Sequence, residues 1–165
     1  MKFKSSLWYI KVEIFNLFSY PKVTKRKSID YEKYWNERLL KKDMEDYEYE
    51  KVVPNSFMSS RANLLKKEIQ KIKINKPTLF DYGSGDGRQL KAIQSSSIDF
   101  NSIVASDISQ FTVSLLSKKF ETINLKNQSI KEIISKNKFD IVSAFEVLEN
   151  IDNCEEVLFD LIEMA

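Results

Sequence analysis

The chain has 165 residues, of which 42% are hydrophobic, 30% charged and 12% aromatic, and this composition predicts one globular domain with an N-terminal extension. A single cysteine and no histidine exclude an intrachain disulfide and a structural zinc site of the Cys/His type. Residues 1–76 hold 18 Lys/Arg against 10 Asp/Glu, whereas residues 77–165 hold 8 against 14. A basic front can attract phosphate, nucleic acid or an anionic membrane, but scattered lysines more often form a solvated face, so nucleic-acid binding is not expected.

The N-terminal segment predicts an amphipathic helix over residues 5–19. Its apolar stripe consists of Leu7, Ile10, Ile14, Leu17 and Phe18, and Pro21 ends the pattern. The helix can dock on the core, or residues 1–20 can make a peripheral membrane contact or bind a partner protein. No apolar run approaches the ~20 residues of a membrane span, and no signal-peptide cleavage site follows, so we expect a cytoplasmic protein.

Two more helices are predicted before residue 78, and strands then alternate with helices. The first helix is capped by Ser28 and continues to Leu39, and the second covers about 56–73. The predicted strands are 78–82, 102–106, 121–125 and 139–145, and the helices between them are 86–95, 109–119 and 129–136. A last helix starts near Asp152, which can form a capping box with Glu155 and continue to Ala165. This alternation predicts βαβ units on a parallel sheet.

All three glycines of the chain lie within residues 83–87, directly after the first predicted strand. A glycine loop between a parallel strand and a helix lets the backbone approach a ligand closely. A dinucleotide fingerprint has the spacing Gly-x-Gly-x-x-Gly, but here the third glycine comes one residue early. Asp81 precedes the loop, and its carboxylate would repel a pyrophosphate but suits a cation. S-adenosylmethionine (SAM), which carries an ammonium and a sulfonium, fits this pattern.

The second predicted strand ends at Asp107, 24 residues after Gly83. A carboxylate at the tip of the neighbouring strand can accept both hydrogen bonds of a ribose diol, which indicates an adenosine-containing ligand but not a reaction. The alternative is that Asp107 only caps the helix that starts near Ser109.

Three ordered segments resemble the successive motifs of class I SAM-dependent methyltransferases, especially small ones that act on metabolites, quinones or lipid-linked groups. They are Asp81–Gly87, Ser106–Ser109 and Lys138–Asp152, and the resemblance covers about residues 77–165. It implies an α/β, Rossmann-like parallel sheet of strand order 3-2-1-4, flanked by helices. It also implies two parts: a helical extension or lid over 1–55, and the N-terminal half of a SAM-binding domain over 56–165. Within the extension, residues 34–38 resemble the helix that lids the cofactor in this family.

The resemblance also implies roles for individual residues. Asp81 and the loop glycines would hold the methionine part of SAM, Asp107 the ribose, and the backbone around 144–146 the far side of the cofactor. The complete set of predicted cofactor-binding residues is Asp81, Tyr82, Gly83, Ser84, Gly85, Gly87, Asp107, Ile108, Asn127, Gln128, Ala144 and Phe145. Tyr82 is expected to pack the loop, not to act as a catalyst. Glu146 and Glu149 are candidate catalytic residues that would accept a proton from a phenol or an amine.

The sequence departs from the family pattern at three places. The amides Asn127 and Gln128 stand where many members place an acid near the adenine amino group, and Asn150 stands where this group often has a histidine. The chain also ends after the fourth strand, whereas members usually have seven. Strand 139–145, apolar on both faces, would then lie at an open edge, so we expect either a fragment of a longer enzyme or a sheet completed by a second copy or a partner chain.

The sequence therefore predicts transfer of the SAM methyl group to an unidentified small-molecule or lipid-linked acceptor. One alternative is a Rossmann oxidoreductase or another binder of adenosine nucleotides, against which Asp81 and the early third glycine argue. The other alternative is a non-catalytic or partner-completed methyltransferase-like interaction protein, which Asn150 and the missing strands favour.

Overall fold

The computed structural model describes residues 30–41, 57–72, 74–95 and 97–165. The predicted helix 5–19, its membrane contact and the cap at Ser28 lie outside these residues, and so do residues 42–56 around the predicted domain boundary. That boundary stays a prediction. Within the described ranges, no helix is long and apolar enough to cross a membrane.

Four parallel strands form one sheet in the order β3-β2-β1-β4, which confirms the predicted fold class and strand order. The strands are β1 (Thr78–Tyr82), β2 (Ser102–Asp107), β3 (Glu121–Asn124) and β4 (Ile141–Ser143). In the centre of the sheet, Asp81 pairs with Ala105 of β2 on one side and with Ser143 of β4 on the other. The carboxyl ends of all four strands therefore meet at one edge, which we call the carboxyl edge, and the opposite end is the amino edge.

Six described α-helices accompany the strands. They are α1 (Tyr31–Lys41), α2 (Phe57–Ile72), α3 (Arg88–Gln94), α4 (Gln110–Leu116), α5 (Ile130–Lys136) and α6 (Cys154–Met164), and a 3-10 turn covers Leu148–Asn150. The helices follow the predicted order with small shifts at their ends. The fourth strand is shorter than the predicted 139–145 at both ends. At its start, the backbone N–H of Phe139 donates to the carbonyl of Met164 and not to the sheet, and at its end the chain leaves the sheet before Glu146, which has a positive φ.

The sheet separates two groups of buried side chains. The α2–α3 cluster contains Leu65, Ile69, Leu79, Leu90, Ile93, Ala105 and Ile141. The α5–α6 cluster contains Phe80, Tyr82, Val104, Ile133, Phe139, Val157, Leu161 and Met164. Successive residues of a strand point to opposite faces, so Leu79 and Phe80 enter different clusters, and both are 0% exposed. Each such side chain contributes roughly 1.5–3 kcal/mol to folding.

One predicted helix cap is wrong. The capping box of Asp152 and Glu155 does not form, because α6 begins one residue later, with Asn153 as its N-cap and no capping hydrogen bond from that side chain. Glu155 therefore lies one position too early in the first turn to complete the box. A capping box does occur at α5, where Ser129 accepts from the N–H of Glu132 and the Glu132 carboxylate accepts from the N–H of Ser129.

Candidate functional site

The glycine loop lies at the carboxyl edge between β1 and α3. Gly83, Gly85 and Gly87 have φ values of 73°, 53° and 76°, in the left-handed region that side chains rarely adopt. The N–H groups of Gly83 and Ser84 both donate to the carbonyl of Ser106, at 2.9 and 2.8 Å. The loop is thereby attached to the end of the neighbouring strand, and its three left-handed residues explain why every glycine of the chain is found here.

Two of these glycines have different surroundings. A β-carbon at Gly83 would lie 2.4 Å from Cγ2 of Val147, whereas a β-carbon at Gly85 would have nothing within 4 Å. Gly83 therefore allows the segment after β4 to pack closely on the loop. Gly85 leaves its backbone facing open space, where a ligand can approach.

Asp81 is buried under the loop, with 2% of its surface exposed. Its Oδ1 accepts a hydrogen bond from the Ser143 hydroxyl at 2.6 Å, and its backbone carbonyl accepts from the Ser106 hydroxyl at 2.9 Å. Burial raises the pKa of Asp81 to about 6, the Ser143 hydrogen bond opposes this rise, and the nearby Asp107 carboxylate adds to it. The site thus holds an acid whose charged form a nearby cation would stabilise.

Asp107 ends β2 and contacts the loop directly. Its Oδ2 accepts from the N–H of Gly85 at 2.9 Å, and its Oδ1 accepts from the N–H of Ser109 at 2.8 Å. Burial raises its pKa, and these backbone hydrogen bonds oppose the rise. Each carboxylate oxygen can accept a second hydrogen bond, so the pair retains capacity for a diol. The helix cap itself is Ser109, whose hydroxyl accepts from the N–H of Thr112, and the half-buried Ile108 lies between Asp107 and this cap.

Tyr82, the last residue of β1, packs its ring into the α5–α6 cluster. Burial, with the charges of Asp107 and Asp160, raises the pKa of its hydroxyl to about 12. The hydroxyl therefore stays protonated at neutral pH and is unsuited to accept a proton.

The predicted adenine contacts, Asn127 and Gln128, lie in the exposed turn that follows β3. The backbone N–H groups of both residues donate to the carbonyl of Asn124, each at 3.1 Å. The turn is at the carboxyl edge, so its place agrees with the predicted role. The role itself stays a prediction.

Residues 144–150 follow β4 and contain the candidate proton acceptors. Ala144 and Phe145 are half-buried, Glu146 and Glu149 are exposed, and Glu146 has a φ of 58°. The Glu146 carboxylate forms an ion pair with Arg61 of α2. The side-chain amide of Asn150 donates to the carbonyl of Glu146 at 3.1 Å, so this residue ties the turn together and cannot serve as a base.

The structure adds contacts of α1 that sequence analysis did not predict. Asn36 of α1 accepts a hydrogen bond at 2.5 Å from the hydroxyl of Ser109, two residues after Asp107. Glu32 of the same helix forms an ion pair with Lys126 in the turn after β3, at 2.9 Å. These contacts place α1, part of the predicted lid, against two loops of the carboxyl edge. They join residues 73 and 94 positions apart, a separation that no periodic pattern reveals.

Gln89 is a second unexpected feature, in the first turn of α3. Both polar atoms of its amide are buried and have no hydrogen-bond partner among the described residues. An unsatisfied buried amide costs about 1–3 kcal/mol, and no contact among the described residues offsets this cost. No group of three or more His, Cys, Asp or Glu side chains in the described part could hold a metal ion.

Comparison with known families identifies the domain. A family model described as "Methyltransferase domain" matches residues 80–162, just over half of the chain. The chain belongs to this methyltransferase family. The membership confirms the resemblance seen in the three motifs, and the matched segment begins in β1 and ends within α6.

Three solved structures match part of this chain. The plantazolicin methyltransferase BpumL in complex with SAH has 19% identity and a TM-score of 0.48, over 64% of this chain and 41% of that one. A SAM-dependent methyltransferase from Archaeoglobus fulgidus has 21% identity and a TM-score of 0.42, over 62% and 46%. SAM-bound CalS10, an amino pentose methyltransferase from Micromonospora echinaspora, has 12% identity and a TM-score of 0.49, over 86% and 50%. The chain thus spans half or less of each protein's length. A comparison with curated proteins gives no significant match.

Proposed function

We propose that this methyltransferase domain binds SAM and directs its methyl group to a small-molecule or lipid-linked acceptor. One observation carries the proposal: the glycine loop and the two buried acids form a single unit, in which the Gly85 N–H donates to Asp107 while the other side of Gly85 is open. Family membership gives the reaction class.

The chemistry of the site fits SAM better than a dinucleotide. Asp81 and Asp107 are both buried and both have raised pKa values, so the loop lies over two acids that a cation would stabilise and a pyrophosphate would not. In the proposal, Asp81 and the loop face the amino acid part of SAM, and Asp107 accepts from the ribose hydroxyls. When bound, SAM would supply a methyl group activated by its sulfonium.

The protein's contribution to such a reaction is mainly alignment, which can supply roughly 7–11 kcal/mol in well-oriented systems. Glu146 and Glu149 are the candidate proton acceptors, and both are exposed in the segment that follows β4. Glu146 would have to give up its ion pair with Arg61 to accept a proton fully. Reactions that need no strong base are therefore favoured over those that do.

A second candidate function is SAM binding without methyl transfer, in a sheet completed by another chain. Two features favour it. The amide of Asn150 holds the Glu146 carbonyl and offers no base. In addition, β4 lies at the end of the described sheet, and Phe159 of α6 is 68% exposed. A second copy or a partner chain could pair with β4 and cover this side chain.

Calorimetric titration tests the proposal with SAM, its product S-adenosylhomocysteine, NAD and ATP. We expect binding of SAM and the product alone, and a loss of at least about tenfold in affinity for Asp107→Asn, because an amide cannot accept both hydrogen bonds of a diol. Asp140→Asn is the matched control, since Asp140 also accepts a backbone N–H but lies at the amino edge. Equal SAM affinity in Asp107→Asn would remove Asp107 from the binding site, and tighter binding of NAD or ATP than of SAM would refute SAM as the ligand.

Methyl transfer is tested separately, with radiolabelled SAM and a cell extract as the source of acceptors. Label in a small-molecule or lipid fraction supports the first function. SAM binding without any labelled product, together with a dimer in solution, supports the second.

A further inference from the structure

The turn at residues 144–147 connects the two buried clusters of the domain. Phe145 packs against the α2–α3 cluster, whereas Ala144 and Val147 pack against the α5–α6 cluster. In an extended strand residues 145 and 147 would point to the same face, so the chain must turn between them. Glu146 makes this turn with a φ of 58°, a conformation that disfavours any residue with a β-carbon. The turn therefore needs outside contacts to keep its shape.

Arg61 provides such contacts from α2. It lies four residues before Leu65 and eight before Ile69, both buried, so helical spacing places it on the core-facing side of the helix. Its side chain is only 13% exposed, it pairs with the Glu146 carboxylate, and its guanidinium carbon lies 5.7 Å from the centre of the Phe145 ring. One side chain thus contacts two consecutive residues of the turn.

The turn at residues 144–147 also restricts the path of the glycine loop. The side chain of Val147 occupies the space that a β-carbon of Gly83 would take, so the position of Val147 and the path of the loop are linked. Asn150 holds the Glu146 carbonyl from the other side, at 3.1 Å. Arg61 and Asn150 therefore fix the side chain and the backbone of the same left-handed residue.

We propose that Arg61 is a positioning residue of the donor site: it holds Glu146 in its left-handed conformation, which seats Val147 against Gly83 and fixes the glycine loop. The inference rests on the proposed function, since it concerns the site that would take SAM. Arginine suits the task better than lysine, because its planar guanidinium can lie over the Phe145 ring while it pairs with a carboxylate.

Substitution at both ends of the ion pair tests this role. We expect Arg61→Met to weaken SAM binding by roughly 5- to 30-fold. This factor corresponds to the cost of holding one residue, Glu146, in the left-handed conformation without the contact from Arg61. The double variant Arg61→Met/Glu146→Gly should recover most of the loss, because glycine adopts a positive φ without help. The double variant Arg61→Met/Glu146→Ala is the matched control, and it should not recover, since it differs only by keeping the β-carbon.

Equal SAM affinity in the two double variants would overturn the proposal and would indicate that Arg61 acts by direct contact with the ligand. Parent-like affinity in Arg61→Met would overturn it as well. Arg61→Lys keeps the charge and loses the planar group, so it serves in the same comparison if Arg61→Met does not fold.

Hydrogen exchange of the amides of residues 144–150 separates this inference from the proposed function, because it needs no ligand. Exchange there should be faster in Arg61→Met and return toward the parent rate with Glu146→Gly but not with Glu146→Ala. If the parent does not bind SAM, the proposed function fails and the link to the donor fails with it. The exchange rates still decide whether Arg61 holds the turn, and unchanged rates in Arg61→Met would refute that.

Discussion

The acidic side chains at the amino edge and at the carboxyl edge of the sheet differ in their burial. At the amino edge, the N–H and the hydroxyl of Thr78 both donate to Oδ2 of Asp140 at 2.9 Å, and the N–H of Asp140 donates back to the Thr78 hydroxyl oxygen at 2.9 Å. At the carboxyl edge, Asp81 and Asp107 are buried, and burial raises the pKa of each. At the amino edge, the carboxylate of an exposed acid is hydrogen-bonded within the protein. At the carboxyl edge, burial makes the charged form of two acids less favourable.

This difference separates the stability of the domain from its binding chemistry. Ligands of open α/β sheets bind outside the carboxyl ends of the strands, and burial raises the pKa values of both acids at that edge. Changes at the amino edge should therefore alter folding alone. Changes at the carboxyl edge should alter folding and SAM binding in different proportions.

The largest effect is expected at Gly83. Gly83→Ala would place a β-carbon 2.4 Å from the Val147 side chain and at a φ of 73°, so it should lower the free energy of unfolding by about 2–5 kcal/mol, measured in urea. Gly85→Ala is the control within the same loop, because it adds backbone strain but no close contact, and it should lower the free energy by about 1–2 kcal/mol. Equal destabilisation by the two variants would contradict this view of the loop.

Ranked by loss of SAM affinity, the same two variants should stand in a different order than when they are ranked by loss of stability. A β-carbon at Gly85 would occupy open space where the ligand can approach, so Gly85→Ala should lose SAM affinity although most of the protein stays folded at 25 °C. A Gly85→Ala protein that binds SAM as tightly as the parent would show that the donor does not approach the loop there.

The pH dependence of stability should identify the acid under the loop. The pKa of Asp81 is about 6 in the folded chain and 3.8 as the reference value, so the folded state retains its proton between these two pH values while the unfolded state has lost it. The free energy of unfolding should therefore fall as pH rises from about 4 to about 6, by on the order of 3 kcal/mol from Asp81. Asp81→Asn should reduce this fall and leave the contribution of Asp107, whose pKa burial also raises, whereas Asp140→Asn should keep the whole fall.

SAM affinity should change in the opposite direction over the same range. Ionised Asp81 favours the ligand's ammonium, so binding should strengthen as pH rises through about 6. Affinity that is independent of pH in the parent would remove Asp81 from the binding site.

The smallest effect is expected at the amino edge. Thr78→Val removes the hydroxyl that donates to Asp140 and accepts from its N–H, which should lower the free energy of unfolding by about 1–2 kcal/mol. SAM affinity should not change, and Thr78→Ser, which keeps the hydroxyl, should restore most of the stability. A loss of SAM affinity in Thr78→Val would remove the distinction between the two edges.

Sequence patterns were sufficient for the sheet and for the position of the loop. Apolar runs between polar helices predicted all four strands, and the bounds of β1 agree with the structure because Asp81 and Gly83 mark its end on the sequence. The predicted start of β4 was too early, since nothing local shows that Phe139 bonds to Met164. The predicted capping box at α6 does not form, because the helix begins one residue later than predicted, an error that hydrophobic spacing alone cannot correct.

The support of the site could not be predicted in the same way. In the sequence, Arg61 is one charged residue among many in a basic segment, and its partner Glu146 lies 85 positions later. Asn36 likewise meets Ser109 only through the packing of α1. The residues that line the site follow strand ends, which sequence marks well, whereas those that hold it in shape depend on how distant helices pack.

Ser106 has a consequence for the geometry of the whole site. Its carbonyl accepts from Gly83 and Ser84 of the loop, and its hydroxyl donates to the carbonyl of Asp81, while Ser106 itself pairs in register with Tyr82. The loop after β1 is thus held by hydrogen bonds to the end of β2, next to Asp107. The spacing between Asp81 and Asp107 is set by the register of β1 and β2 and not by the length of the loop. A ligand that contacts both acids must therefore have a length that fits this register.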